Sequence, residues 1–163
     1  MGVGVLLATI IILFGEGHGP LETPDLPKDL PRPHQTRLLS AEQMLELPES
    51  QIDYGIAALL LTRDYIPGYD VTEGARKLDA IATRVRELLA QQPDGDDPEV
   101  RISAINTVLF REYGFSYDLE NFPQQTPEKR LLGNLLRRGK GTCANLPDLY
   151  FAVAERLGFP IHM

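Results

Sequence analysis

Apolar residues return at intervals of three and four along several stretches of this chain, a period that predicts helices packed through one face. The clearest stretch covers 71–91, where Leu78, Ile81, Ala82, Val85, Leu88 and Leu89 form a stripe. Arg76, Lys77, Arg84, Arg86 and Glu87 fall mostly elsewhere and read as a solvated face. Ile102, Ile105, Val108, Leu109 and Tyr113 predict an inward stripe on a helix over 99–113, with Gly114 as its stop. Leu146, Leu149, Tyr150, Val153, Ala154 and Leu157 mark a buried helix over 144–157 that Gly158 ends. Ile56, Ala57, Leu59, Leu60 and Leu61 place another over 53–64, broken by Pro67 and Gly68. Ser40 with Gln43 has the form of a capping box for a short helix reaching Leu47, before Pro48. Thr126 and Pro127 open a further helix as N-cap and first-turn proline. That helix buries Leu131, Leu132, Leu135 and Leu136 and carries Arg137 and Arg138 in its last turn, where the dipole favours cations.

The connections are polar or rich in turn formers. Residues 91–98 read as a loop, and although three aspartates fall there within four residues, the spacing and closing Glu of a calcium-binding EF-hand are absent. Residues 114–126 form an aromatic loop in which Phe115, Tyr117 and Phe122 cover the helices or border a cleft. Phe159 to Met163 read as the first core strand, so the chain is mainly α.

At the N-terminus, 3–14 is the most apolar run, too short to cross a bilayer as a helix, which takes about 20 residues. Its length suits the apolar core of a signal peptide, so 1–19 read as an export signal or weak anchor. This points to a periplasmic or secreted protein, with a cytoplasmic one as the alternative. Five prolines between Pro20 and Pro33 make 20–39 an extended linker, and the folded part is 40–163. His18 and His34 have no thiol or carboxylate at metal-ligand spacing, so neither zinc nor any other cofactor is expected.

A formal charge of −7 argues against nucleic acid or an anionic membrane as partner, since both call for clustered Lys and Arg. The single cysteine excludes an internal disulfide. Cys143 follows Gly139-Lys140-Gly141 and Thr142, a candidate N-cap, and stands at the mouth of the 144–157 helix. There the sulfur would lie near unpaired N–H groups and the positive end of the helix dipole, which favour a thiolate nucleophile. The competing reading is a buried cysteine acting as a small hydrophobe. Pro147 is harmless only if it falls in the first helical turn.

The run G-T-C-A-N-L-P-D-L-Y-F-A-V-A-E-R-L-G-F-P at 141–160 resembles the nucleophile helix of bacterial transglutaminase-like proteins, a branch of the papain-like cysteine proteinase fold. I-N-T-V-L-F-R-E-Y-G-F at 105–115 and L-L-G-N-L-L-R-R-G-K-G at 131–141 are similar to the SirB1 family, whose members join a transglutaminase-like region to helical repeats. The resemblance implies an α+β fold in which Cys143 opens a central helix packed on a sheet. It also implies a His in the following strand and then an Asp or equivalent. His162 is the sole histidine after Cys143 and reads as a strand residue, so the chain looks like the helical front part of such a fold with its core sheet largely missing. The resemblance further implies that the Cys143 N–H faces the oxyanion and that Asn145 gives local polar support. Asn106, in the segment beside the Cys helix, reads as core structure. The implied activity is cysteine-dependent acyl transfer or amide hydrolysis on a protein or peptide substrate, with this chain inactive alone. The alternative is a non-catalytic helical scaffold or interaction module.

Overall fold

The computed structural model describes residues 40–48, 51–119 and 126–160. The elements are α1 (Ala41–Leu45), α2 (Tyr54–Tyr65), α3 (Val71–Leu89) and α4 (Pro98–Asn106), the last running into a π-helical segment, Thr107–Glu112. Then come β1 (Ser116–Tyr117), a 3-10 turn (Pro127–Arg130), α5 (Leu132–Arg138), β2 (Lys140–Gly141) and α6 (Asn145–Leu157). The described residues are mainly α, as the apolar periodicity requires.

Side-chain caps fix where the helices begin. Ser40 Oγ accepts the Gln43 N–H at 3.1 Å while Gln43 Oε1 accepts the Ser40 N–H at 2.8 Å, the reciprocal capping box expected for α1. Three aspartates open the next helices. Asp53 accepts from Ile56 N (2.8 Å), Asp70 from Thr72 N (2.8 Å) and Asp97 from Glu99 N (2.7 Å), each filling a donor the helix cannot use. Asp97 therefore belongs to a helix cap, and its neighbour Asp96 pairs with Arg101 at 2.5 Å.

Two helices differ from the sequence expectation. The 99–113 stretch is α only to Asn106 and then widens, with Tyr113 N–H reaching Val108 O at 2.9 Å and Phe115 N–H reaching Leu109 O at 3.0 Å. The wider turn carries Tyr113 outward to 38 % exposure, stacked on Phe115, and Phe115 takes the buried place instead. The helix expected from Thr126 is interrupted. Thr126 gives no side-chain cap, Pro127–Arg130 is 3-10, and Leu131 is extended (φ −83°, ψ 140°) before α5 starts.

Helix α6 lies at the centre, packed against α2, α3, α4 and α5. Leu149, Ala152, Val153 and Ala154 are fully buried in one cluster with Leu59, Leu60, Leu78, Ile81, Val85 and Leu135. The apolar face expected to meet a sheet is thus covered by helices. At the crossing of α2 and α6 a Cβ on Gly55 would sit 3.0 Å from Ala152 Cβ and 2.5 Å from Arg156 Nη1, so only glycine allows the approach.

Strands β1 and β2 pair in parallel, Ser116 opposite Lys140 and Tyr117 opposite Gly141, with bonds from Ser116 N–H to Gly139 O (3.0 Å) and Asp118 N–H to Gly141 O (2.7 Å). This pairing, inside the segment read as a loop, draws 116–118 against the approach to Cys143. Phe159 and Pro160 are irregular, and the rest of the expected 159–163 strand lies outside the described residues, as do the 1–19 signal or anchor and the 20–39 linker. Among the described residues no helix is long and apolar enough to cross a membrane.

Candidate active site

The turn that presents Cys143 is built by its neighbours. Gly139 ends α5 in the left-handed region (φ +70°), returning its N–H to Leu135 O at 2.8 Å. Gly141 follows where a Cβ would come within 2.7 Å of Leu146 Cγ and 2.9 Å of Leu135 Cδ1, so the backbone lies directly on the core. Thr142 is buried; its N–H donates to Asn145 Oδ1 (2.7 Å), its Oγ1 accepts the Ala144 N–H (3.2 Å), and its carbonyl accepts the Leu146 N–H (3.1 Å). Asn145 Oδ1 also accepts the Thr142 hydroxyl at 3.2 Å, so the amide oxygen takes both Thr142 donors, while the Thr142 hydroxyl serves Ala144 and not the Asn145 N–H that a capping box would use. Thr142 was expected to cap the helix, but Ala144 holds the N-cap position with no side-chain cap; Thr142 and Cys143 form the entry turn, and Asn145 opens the regular helix. Pro147 is the third residue of α6, within the four whose N–H groups have no helical partner.

Cys143 is an exposed free thiol between buried Thr142 and fully buried Asn145. The buried-cysteine reading is therefore replaced by an accessible sulfur on a pinned backbone. The Tyr117 phenol lies beside Cys143, close enough to interact with both its thiol and its backbone. Burial first, and then the bond to the thiol, hold the Tyr117 phenol above its usual pKa. Only the β1–β2 pairing brings this tyrosine to the cysteine, and two residues of strand leave almost no periodic signal in a sequence.

Asn145 Oδ1 serves Thr142, and both amide hydrogens are used, donating to Lys129 O at 2.9 Å and Leu131 O at 3.1 Å. The side chain joins the broken 129–131 segment to the Cys143 turn, and its donors point away from any substrate carbonyl at the sulfur. Asn106 is half-buried at the end of α4.

Further along α6, a polar network ties the helix to α2 and α3. The Tyr54 hydroxyl donates to Asp148 Oδ1 at 2.5 Å, and the Tyr54 N–H donates to Glu155 at 2.9 Å. Arg156, 8 % exposed, reaches Asp79 (2.9 Å) from Nε and Asp53 (3.2 Å) from Nη2. Burial raises both the Asp148 and the Glu155 carboxyls above the usual carboxylate range, against the opposing hydrogen bonds from Tyr54.

His18, His34 and His162 all lie outside the described residues. Among the described residues no cluster of His, Cys, Asp and Glu is arranged to hold a metal ion. A family model described as the Transglutaminase-like superfamily matches residues 72–163, a span that includes β1, β2, Cys143 and all of α6. Comparison with curated proteins and comparison with solved structures each gave no match.

Proposed function

Because the chain belongs to the transglutaminase-like superfamily, we propose that Cys143 is the nucleophile of an acyl transfer or amide hydrolysis on a protein or peptide, in a SirB1-like protein. One observation carries the reading: within the matched region, an exposed thiol stands at the entry of the central buried helix on a turn held by hydrogen bonds from the Thr142 and Ala144 N–H groups and to the Thr142 carbonyl. Positioning of this kind converts a poor bimolecular encounter into an oriented attack. The thiolate sulfur adds to the carbonyl carbon, the C–N bond breaks, and ammonia or an amine leaves after taking a proton. Water or a second amine then resolves the thioester. The reaction needs an imidazole base and an acidic or amide group to orient it. In this reading the described residues supply the nucleophile, and the imidazole lies outside them.

A second reading, a non-catalytic helical interaction module, draws on one contact. The Tyr117 phenol lies beside the Cys143 backbone, whose N–H is the donor that would face the oxyanion. Iodoacetamide labelling of the folded chain, with a denatured control and Cys143→Ser as blank, separates the two. Labelling of the folded chain faster than that of the denatured control supports the nucleophile. Protection until unfolding sinks it. Export through residues 1–19 is part of the same proposal, and an intact Met1 on protein recovered from the native cytoplasm would overturn that part.

A further inference from the structure

Five cations and no carboxylate occupy the twelve positions from Lys129 to Lys140, in a chain whose formal charge is −7. Elsewhere several arginines are matched by carboxylates: Arg63 pairs with Asp64, Arg84 with Glu87 and Glu112, Arg101 with Asp96, and Arg156 with Asp53 and Asp79. Within this segment Arg138 pairs with Asp118 at 3.2 Å. Arg130, Arg137 and Lys140 are exposed and have no carboxylate within ion-pair distance among the described residues, Lys140 donating instead to the Ser116 hydroxyl at 2.9 Å. The segment runs straight into the reactive turn. Lys140 stands three residues before Cys143, so the two backbones are at most about 10 Å apart.

We propose that this basic approach selects acidic polypeptides, with carboxylates about two to four residues from the reacting carbonyl drawn to Arg137 and Lys140. The substrate class rests on Cys143 as nucleophile, whereas the binding does not. A peptide fits the charge pattern better than a nucleic acid does. Its carboxylates can be confined to the few residues that meet the cations, while an evenly charged polyphosphate would continue onto the acidic remainder of the molecule. The contacts are exposed, so they act by steering and selection and fall with salt over a Debye length of about 8 Å at physiological strength.

Two fluorescent peptides test this, each with one central glutamine, flanked in one case by glutamates and in the other by serines. Binding is followed by anisotropy on the full chain carrying Cys143→Ser, so that no chemistry is needed. The acidic peptide should bind about 10-fold more tightly, lose that advantage in about 0.5 M salt, and fall to the level of the serine peptide with Arg137→Gln and Lys140→Gln together. Equal binding of the two peptides, or no response to the double substitution in a protein with unchanged circular dichroism, overturns the proposal. So does tighter binding of a single-stranded oligonucleotide or of phosphatidylserine vesicles, or self-association that Lys140→Gln abolishes. If the acidic peptide binds as expected but wild-type Cys143 is protected from iodoacetamide, it is the nucleophile that fails and not the docking surface.

Discussion

Replacing Asn145 with alanine should unfold the Cys143 turn at a cost that the hydrogen bonds allow to be worked out. Asn145 is fully buried and its side chain bonds to Thr142 N–H (2.7 Å), Thr142 Oγ1 (3.2 Å), Lys129 O (2.9 Å) and Leu131 O (3.1 Å). The Thr142 N–H is the dearest loss, because a buried donor left without a partner costs about 1–3 kcal/mol. The two carbonyls lie in a half-buried stretch where water can replace the amide, so together they add about 1 kcal/mol. A small cavity adds a further fraction. The total is about 3 kcal/mol, a large share of the roughly 5–15 kcal/mol that holds a domain of this kind together. Urea titration by far-UV circular dichroism should show a lower midpoint with an unchanged slope, and thermal melting a fall of about 10 °C. Asn145→Asp keeps the acceptor for Thr142 but sets a carboxylate against two carbonyls, so it should be at least as damaging at neutral pH and recover on acidification. A loss under about 0.5 kcal/mol for Asn145→Ala would refute the view that this amide fastens the turn.

Gly133→Ala should destabilise by about 1–3 kcal/mol by the same titration even though alanine is the better helix former, because its Cβ would fall 2.4 Å from Tyr69 Cζ and 2.6 Å from Thr62 Cγ2. Arg156→Met removes the partner of Asp53 and Asp79 and should cost about 2–4 kcal/mol, with part of the loss recovered when Asp79→Asn is added; strict additivity would refute the coupling. Asp148 has its carboxyl raised above the usual 3.8, so its charged form weighs against folding at neutral pH and that burden lifts as pH falls through the raised value. Asp148→Asn, which keeps an acceptor for Tyr54, should therefore be more stable than wild type near pH 7, with the advantage gone near pH 4. A difference that does not change with pH in urea titrations would show that the burial effect is absent.

Helix positions were legible where one face repeats over many residues. Leu78, Ile81 and Val85 are fully buried in α3, and Leu149 and Val153 in α6, as their spacing requires. The break at Leu131 was not legible, because its cause is distant in sequence: an amide on α6 accepts no helical compromise and captures the carbonyls of Lys129 and Leu131. The π-helical widening after Asn106 was hidden for a related reason, since Tyr113 and Phe115 are both aromatic and local pattern cannot say which turns inward. At the candidate site Cys143 stood out by residue type and by the glycines before it. Tyr117 did not, as a parallel pair of two-residue strands depends on tertiary pairing and has no periodicity of its own.

The alternation of burial around the cysteine bears most directly on function. A cysteine serving as a small hydrophobe would be drawn inward with its neighbours, yet Thr142 and Asn145 are buried while Cys143 and Ala144 between them are exposed. The inward residues carry polar groups that are satisfied by one another and by the 129–131 carbonyls, so the backbone is held without using the sulfur. Holding a reactive atom at the surface on a fixed frame is what orientation requires of a nucleophile. The same frame begins in β2, where Lys140 is exposed and Gly141 lies on the core. Cation and thiol are thus presented by one short, anchored run of backbone, which links the selection of an acidic peptide to the atom proposed to attack it.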